Sequence, residues 1–178
     1  MVEIKNIFPN YIAIKNIDLN KFKINNETFT ESFESKIKTS LGNSNLFLQE
    51  DINYFNIQLT DIFSHIVKAL NKNNFVFNVT NIWMNVYDNQ DFQGSHTHPS
   101  DYCFILYYDI EKSHTVFNSP VKDLLEYRPS VKGLFFKDYK PDCNKGDLLV
   151  FPGYLQHWVR PTSNAKTIAG NIEIIDLK

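Results

Sequence analysis

Three histidines dominate the chemistry this sequence can offer. In Gly94-Ser95-His96-Thr97-His98-Pro99 two imidazoles stand two residues apart, and on an extended backbone residues i and i+2 point to the same face. Such a pair can grip one ion from one strand. Imidazole suits iron, zinc, copper and nickel, and a two- or three-residue facial set leaves coordination positions open to substrate and oxygen. A third histidine, His157, follows Gly146-Asp147-Leu148-Leu149-Val150-Phe151-Pro152, which reads as a turn and a buried strand. A barrel can bring that late strand beside the early pair, so His96, His98 and His157 are the candidate metal ligands. Neither Cys103 nor Cys143 has the spacing to complete a closed tetrahedral zinc site with them. Two cysteines give no disulfide framework and are read as reduced thiols. His65 and His114 read as surface histidines that no motif needs.

The elements that must position these rings change character near residue 74. Thr30 can cap a helix in which Phe33, Ile37 and Leu41 recur four apart, with Glu31 and Glu34 early, Lys36 and Lys38 late and Gly42 just past the end. From Asp51 the set Phe55, Leu59, Ile62, Phe63, Ile66, Val67 and Leu70 follows a 3.6-residue period, a stripe that must cover another surface. Beyond Asn74 come short β-type runs: Phe75 to Val79, Ile82 to Tyr87, Tyr102 to Tyr108, Thr115 to Phe117, Leu134 to Phe136, Leu148 to Phe151, Gln156 to Val159 and Thr167 to Ile175. Turn residues separate them, among them Asp88-Asn89-Gln90, Gln93-Gly94, Lys145-Gly146-Asp147 and Pro152-Gly153. The expectation is one domain over 1–178, a helical support region (1–74) bracing a β core (75–178). That is a mainly β fold with flanking helices (α+β), a double-stranded β-helix of the jelly-roll, cupin-like kind.

Composition narrows the partners. The chain has 178 residues, enough for a core without staples, and its 15 Phe and 9 Tyr favour strands or an aromatic-lined cavity. A net charge of −2 provides no positive surface for nucleic acid. No stretch approaches the ~20 apolar residues of a spanning helix, and Met1-Val2-Glu3-Ile4-Lys5 does not open a signal pattern. A cytoplasmic protein without membrane partners is expected, and its oligomeric state is open.

Trp83-x-Asn85, His96-x-His98-Pro99, Tyr107-Tyr108, Gly146-Asp147-Leu148-Leu149-Val150-Phe151-Pro152, Leu155-x-His157-x-Val159-x-Pro161 and Gly170-Asn171-Ile172 together resemble the 2-oxoglutarate- and Fe(II)-dependent oxygenases of bacteria and phages. The resemblance covers roughly residues 80 to 175. It implies a β-helix in which His96, the residue at 98 and His157 hold Fe(II). Most relatives carry Asp or Glu where this chain has His98, so either His98 ligates, which its face favours, or a carboxylate such as Asp101 approaches. The family also holds the far carboxylate of 2-oxoglutarate with a cation on the strand after the distal histidine. Lys166 is the residue at that place, with Arg160 as fallback. Asn85 and Tyr107 are candidates for polar contacts to the cosubstrate. The implied partners are dioxygen and a small-molecule or peptidyl substrate, with Val121 to Asn144, including Glu126, Arg128, Lys132, Lys137 and Asp138, as a variable lid. Two rival readings stand beside it: a three-histidine iron dioxygenase needing no keto acid, and a cupin-like metal-binding module without turnover.

Overall fold

The computed structural model describes residues 11–24, 29–31, 36–42, 46–70, 72, 75–121 and 138–177. In chain order the elements are β1 (Ala13–Asn16), β2 (Thr30–Glu31), β3 (Lys38–Thr39), α1 (Gln49–Ala69), β4 (Phe75–Tyr87), β5 (Asp91–His96), β6 (Tyr102–Asp109), β7 (Thr115–Asn118), β8 (Asp138–Tyr139), β9 (Asp147–Pro152), β10 (His157–Thr162) and β11 (Ala165–Leu177). A seven-stranded sheet runs β1-β9-β6-β11-β4-β3-β2 and faces a four-stranded sheet β5-β10-β7-β8. Every pairing is antiparallel. The architecture is the expected double-stranded β-helix.

Side-chain alternation sorts the larger sheet into two cores. Met84, Phe104, Leu106, Leu148, Val150, Ile168 and Ile172 turn outward and meet Phe55, Leu59, Ile62, Phe63 and Ile66 of α1. The helical stripe read from the sequence is thus the lid of this first core. Asp51 anchors the helix start: it is fully buried and accepts from the backbone N–H of Leu48 at 2.9 Å and of Lys23 at 2.8 Å. The alternate residues Tyr87, Cys103, Ile105, Tyr107, Leu149, Phe151 and Ala165 turn inward and pack with Phe117, Leu155 and Val159 from the smaller sheet. The candidate ligands sit against this second core.

Two expectations need correction. The segment from Thr30 to Leu41 is not a helix where it is described: β2 and β3 pair with each other, and β3 extends the sheet on Val86 and Asn85 of β4. Ser40 continues that pairing, its N–H donating to the Met84 carbonyl at 2.9 Å and its hydroxyl accepting from the Met84 N–H at 2.8 Å. Completing the edge of β4 outweighs local helix propensity. Gly42 does end the run, at φ 89°, in a turn and not at a helix end. The described residues before 75 therefore contribute three strands and a short 3-10 turn (Leu19–Lys21) as well as one α-helix. The two runs expected at Phe75 to Val79 and Ile82 to Tyr87 are one strand, β4, with a register shift opposite Asn171 and Ile172. The expected run Leu134 to Phe136 and most of the expected lid, Glu126, Arg128, Lys132 and Lys137 included, lie outside the described residues.

Candidate metal centre

β5 and β10 are neighbours in the smaller sheet, and the last residue of one meets the first of the other: His96 pairs directly with His157. His98 comes two residues after β5 ends, on a loop clamped to the Pro152-Gly153 turn. Its backbone N–H donates to the Gly153 carbonyl at 2.9 Å, and the Gly153 N–H donates to the Asp101 carbonyl at 3.0 Å. Each of the three rings offers one nitrogen, and these nitrogens all lie within 4.8 Å of one another. Donors ~2.1 Å from a common ion can be no more than about twice that apart, so the set closes around one ion with small side-chain movement.

Two of the rings are already oriented. His96 Nδ1 lies 2.8 Å from the Gly94 carbonyl and His157 Nδ1 lies 2.9 Å from the Leu155 carbonyl. A carbonyl only accepts, so Nδ1 carries the hydrogen and Nε2 keeps its lone pair for a metal. Burial, then the neighbouring His96, lowers His157 to about 3 and His98 to about 4. Both rings are therefore neutral near neutral pH, the form that binds metal. Phe117 and Phe151 pack on His157, with ring centroids at 5.5 and 4.9 Å, and Trp83 stacks on His98 at 5.8 Å. The donor set fits an ion such as Fe(II): three imidazoles on one side, and an open mouth lined by Ile37, Thr39, Leu41, Trp83, Ser95 and Asn171 on the other.

Behind the rings the space between the sheets continues as a cavity. It is lined by Trp83, Asn85, Tyr87, Gln93, Tyr107, His114, Thr115, Thr162 and Thr167 among others, and by no lysine, arginine, aspartate or glutamate among the described residues. Tyr107 joins the two sheets here: its hydroxyl accepts from Ser113 Oγ at 2.9 Å and donates to Thr115 Oγ1 at 3.0 Å. Burial raises the pKa of Tyr87 and of Tyr107, so both remain hydroxyl donors. Asn85 Oδ1 is a buried acceptor with no partner.

Residues 81–168, which include all three histidines, match the family model described as "Putative 2OG-Fe(II) oxygenase". That stretch, just under half of the chain, is similar to the 2OG-Fe(II) oxygenase family. The architecture agrees. A 2OG-Fe(II) oxygenase family oxidoreductase from Burkholderia pseudomallei shares 7% identity over 82% of this chain and 71% of its own, with a TM-score of 0.54. HygX from Streptomyces hygroscopicus, solved with nickel and 2-oxoglutarate bound, shares 10% over 91% and 82%, with a TM-score of 0.52. At these identities the likeness is one of fold. No curated protein matches the chain.

Set against this oxygenase fold, the residues singled out from the sequence divide. His96, His98 and His157 come together, and Asn85 and Tyr107 line the cavity behind them. Asp101 stays outside the histidine cluster, its carboxylate accepting from the Ile174 N–H at 2.8 Å. Lys166 and Arg160 are not among the cavity residues; their strand neighbours Thr167 and Val159 are. Adjacent residues on a strand face opposite sides, and it is Thr167, paired with both Asn85 and Tyr107, that turns inward. His65 is exposed as expected. His114 is not a surface residue: it is half-buried and lines the cavity. Tyr87, Thr115, Thr167 and Gly153 went unnoticed in the sequence. Asn85-x-Tyr87 has the same i, i+2 spacing that marked the histidine pair, and Thr167 follows from counting back from Asn171 in twos.

Proposed function

We propose that this chain is a 2-oxoglutarate- and Fe(II)-dependent oxygenase that hydroxylates an amino-acid, peptidyl or small-metabolite substrate. The observation that carries the reading is the meeting of three imidazoles, two with their Nδ1 atoms committed to carbonyls, at the mouth of a cavity between the sheets, in a stretch that matches this family. His96, His98 and His157 would hold the ion. Bound Fe(II) with 2-oxoglutarate and dioxygen would supply the oxidising chemistry, one oxygen atom going to the succinate formed with carbon dioxide and the other to the hydroxylated carbon.

The chain's own residues do the rest. The Gly94 and Leu155 carbonyls fix which nitrogen of His96 and His157 faces the ion. Phe117, Phe151 and Trp83 keep water from the rings and hold their planes. Asn85 and Tyr107, inward on β4 and β6 on either side of β11, are the residues this reading sets around the cosubstrate. No described helix is long and apolar enough to cross a membrane, and the net charge of −2 argues against nucleic acid. We therefore place the enzyme in the cytoplasm, acting on small molecules or peptides.

The test is anaerobic addition of Fe(II) and 2-oxoglutarate, followed by air. A visible absorption band that needs both additions, and then succinate, is the expected result. A second reading rests on a ligand set that holds no carboxylate among the described residues. Oxygen uptake with bound Fe(II) that is indifferent to 2-oxoglutarate would assign the chain to the three-histidine dioxygenases instead.

A further inference from the structure

The cavity is built in rows. Strand register places Trp83, Ala169 and Ile105 side by side across β4, β11 and β6, and two residues along the same strands it places Asn85, Thr167 and Tyr107 side by side. The first row lies at the level of the metal histidines, because Trp83 stacks on His98. On the facing sheet His157 pairs with Phe117 and Val159 pairs with Thr115, so Thr115 lies one row deeper than the metal as well. Two residues of strand advance about 6.6 Å. A keto acid with its first two oxygen-bearing carbons at the metal extends over four carbon–carbon bonds of ~1.5 Å, about 5 Å end to end. Its second carboxylate therefore reaches the second row.

That row is uncharged. Its donors are the Thr115 and Thr167 hydroxyls and the Asn85 amide. Tyr107 sets the direction of the first: Ser113 donates to Tyr107, Tyr107 donates to Thr115 Oγ1, and the Thr115 proton is left to point into the cavity. Asn85 and Thr167 both act as hydrogen-bond partners of the buried Tyr87 phenol, while Asn85 Oδ1 has no partner. A half-turn of that amide sets Oδ1 toward the Tyr87 hydroxyl, whose proton now goes to Gln93 Oε1 at 3.3 Å and can turn to it, and turns the NH2 group toward the cavity, where a carboxylate oxygen would accept from it and from the Thr167 hydroxyl. A carboxylate can be held by several neutral donors in this way.

We propose that the second carboxylate of 2-oxoglutarate is held by this neutral row, Thr115, Thr167 and Asn85 with Tyr107 as a positioning residue, and not by Lys166 or another cation. The proposal rests on the 2-oxoglutarate reading given above and goes further by naming the anchor. It separates this chain from the lysine or arginine anchoring that the family resemblance implies.

Calorimetric titration of the Zn(II)-loaded protein with 2-oxoglutarate tests it without turnover. Thr115→Val and Thr167→Val, each losing one hydroxyl at constant shape, are expected to weaken binding about tenfold to a hundredfold at unchanged zinc stoichiometry. Thr115→Ser, which keeps the hydroxyl, and Lys166→Ala are expected to stay within about threefold of the parent. Should either valine variant fail to fold, its serine counterpart paired with Tyr107→Phe takes its place, with loss expected only in the phenylalanine variant. The proposal is overturned if the valine variants bind like the parent, or if Lys166→Ala, Arg160→Ala or His114→Gln loses tenfold or more. A parent protein that holds zinc and binds no 2-oxoglutarate refutes the cosubstrate reading itself, a result distinct from either of these.

Discussion

Gly153→Ala adds a single carbon at the point where the His98 loop touches the β9–β10 turn, and its consequence can be worked from the coordinates. A Cβ built on Gly153 would stand 2.1 Å from the Ser100 carbonyl oxygen, 3.0 Å from the Ser100 carbonyl carbon and 3.1 Å from Ser100 Oγ. Carbon and oxygen sit comfortably at about 3.3 Å or more, so turn and loop must part by more than ~1 Å. Both clashing groups are backbone, which no rotamer change relieves. The same two segments carry the hydrogen bonds from His98 N–H to the Gly153 carbonyl and from Gly153 N–H to the Asp101 carbonyl. Metal–ligand distances tolerate only ~0.2 Å, so displacing the His98 loop removes one ligand of three from bonding range while His96 and His157 stay on their strands. The expected outcome is Zn(II) or Fe(II) affinity about 10- to 100-fold lower, with a stability loss of about 1–3 kcal/mol for overpacking. Competition with a chromophoric chelator reads the first and urea unfolding of the metal-free protein reads the second. Tyr154→Ala, at a side chain 59% exposed on the same turn, is the control and is expected to change neither. Metal affinity in Gly153→Ala within threefold of the parent would refute the claim that this contact positions His98.

Other outcomes follow from the same geometry. His157→Ala is expected to abolish stoichiometric metal binding, measured by elemental analysis after gel filtration, because it removes the central, most buried ring of the set. The metal-free protein is expected to lose stability as pH falls from 7.5 to 5.0. His157 and His98 are lowered by burial to about 3 and about 4, below the ~6.5 of an unfolded histidine, so the unfolded state binds more protons in that window and each ring costs up to about 1.4 kcal/mol per pH unit. A urea midpoint that does not fall between those two pH values would contradict this. Asp51→Ala is expected to cost about 2–4 kcal/mol by leaving the Leu48 and Lys23 N–H groups unpaired beneath α1, read from the same urea curves, whereas Glu50→Ala, at an exposed ion pair with Lys23, is expected to cost little.

What could be read from sequence follows periodicity. The α1 stripe was legible because seven apolar residues keep one face over about four turns, and that face covers the outer core as a helix on a sheet must. The histidine set was legible because the i, i+2 spacing put His96 and His98 together and His157 follows a buried apolar strand, although only His96 lies on β5 and His98 is held by the loop that follows. The stretch from Thr30 to Leu41 misled because its helical spacing rests on a few residues, while the unpaired edge of β4, which decides its structure, is a tertiary fact. Strand β5 is absent from the expected runs because Asp91-Phe92-Gln93-Gly94 has weak β propensity and Gln93-Gly94 reads as a turn; pairing with β10 makes it a strand. The cosubstrate end turns on one residue of parity. Lys166 supplies the charge an anchor would want, but a register shift at Lys166 and Thr167 and the inward count from Asn171 give the cavity to Thr167. Charge is visible in a sequence, and the face a strand residue takes is fixed only by its partners.

Anomalous diffraction from crystals soaked anaerobically with Fe(II) tests the central claim most directly. A single iron peak about 2.1 Å from one nitrogen of each of His96, His98 and His157, with the opposite side open, is the predicted result. A peak that omits His157, or that takes the Asp101 carboxylate in place of His98, would contradict it.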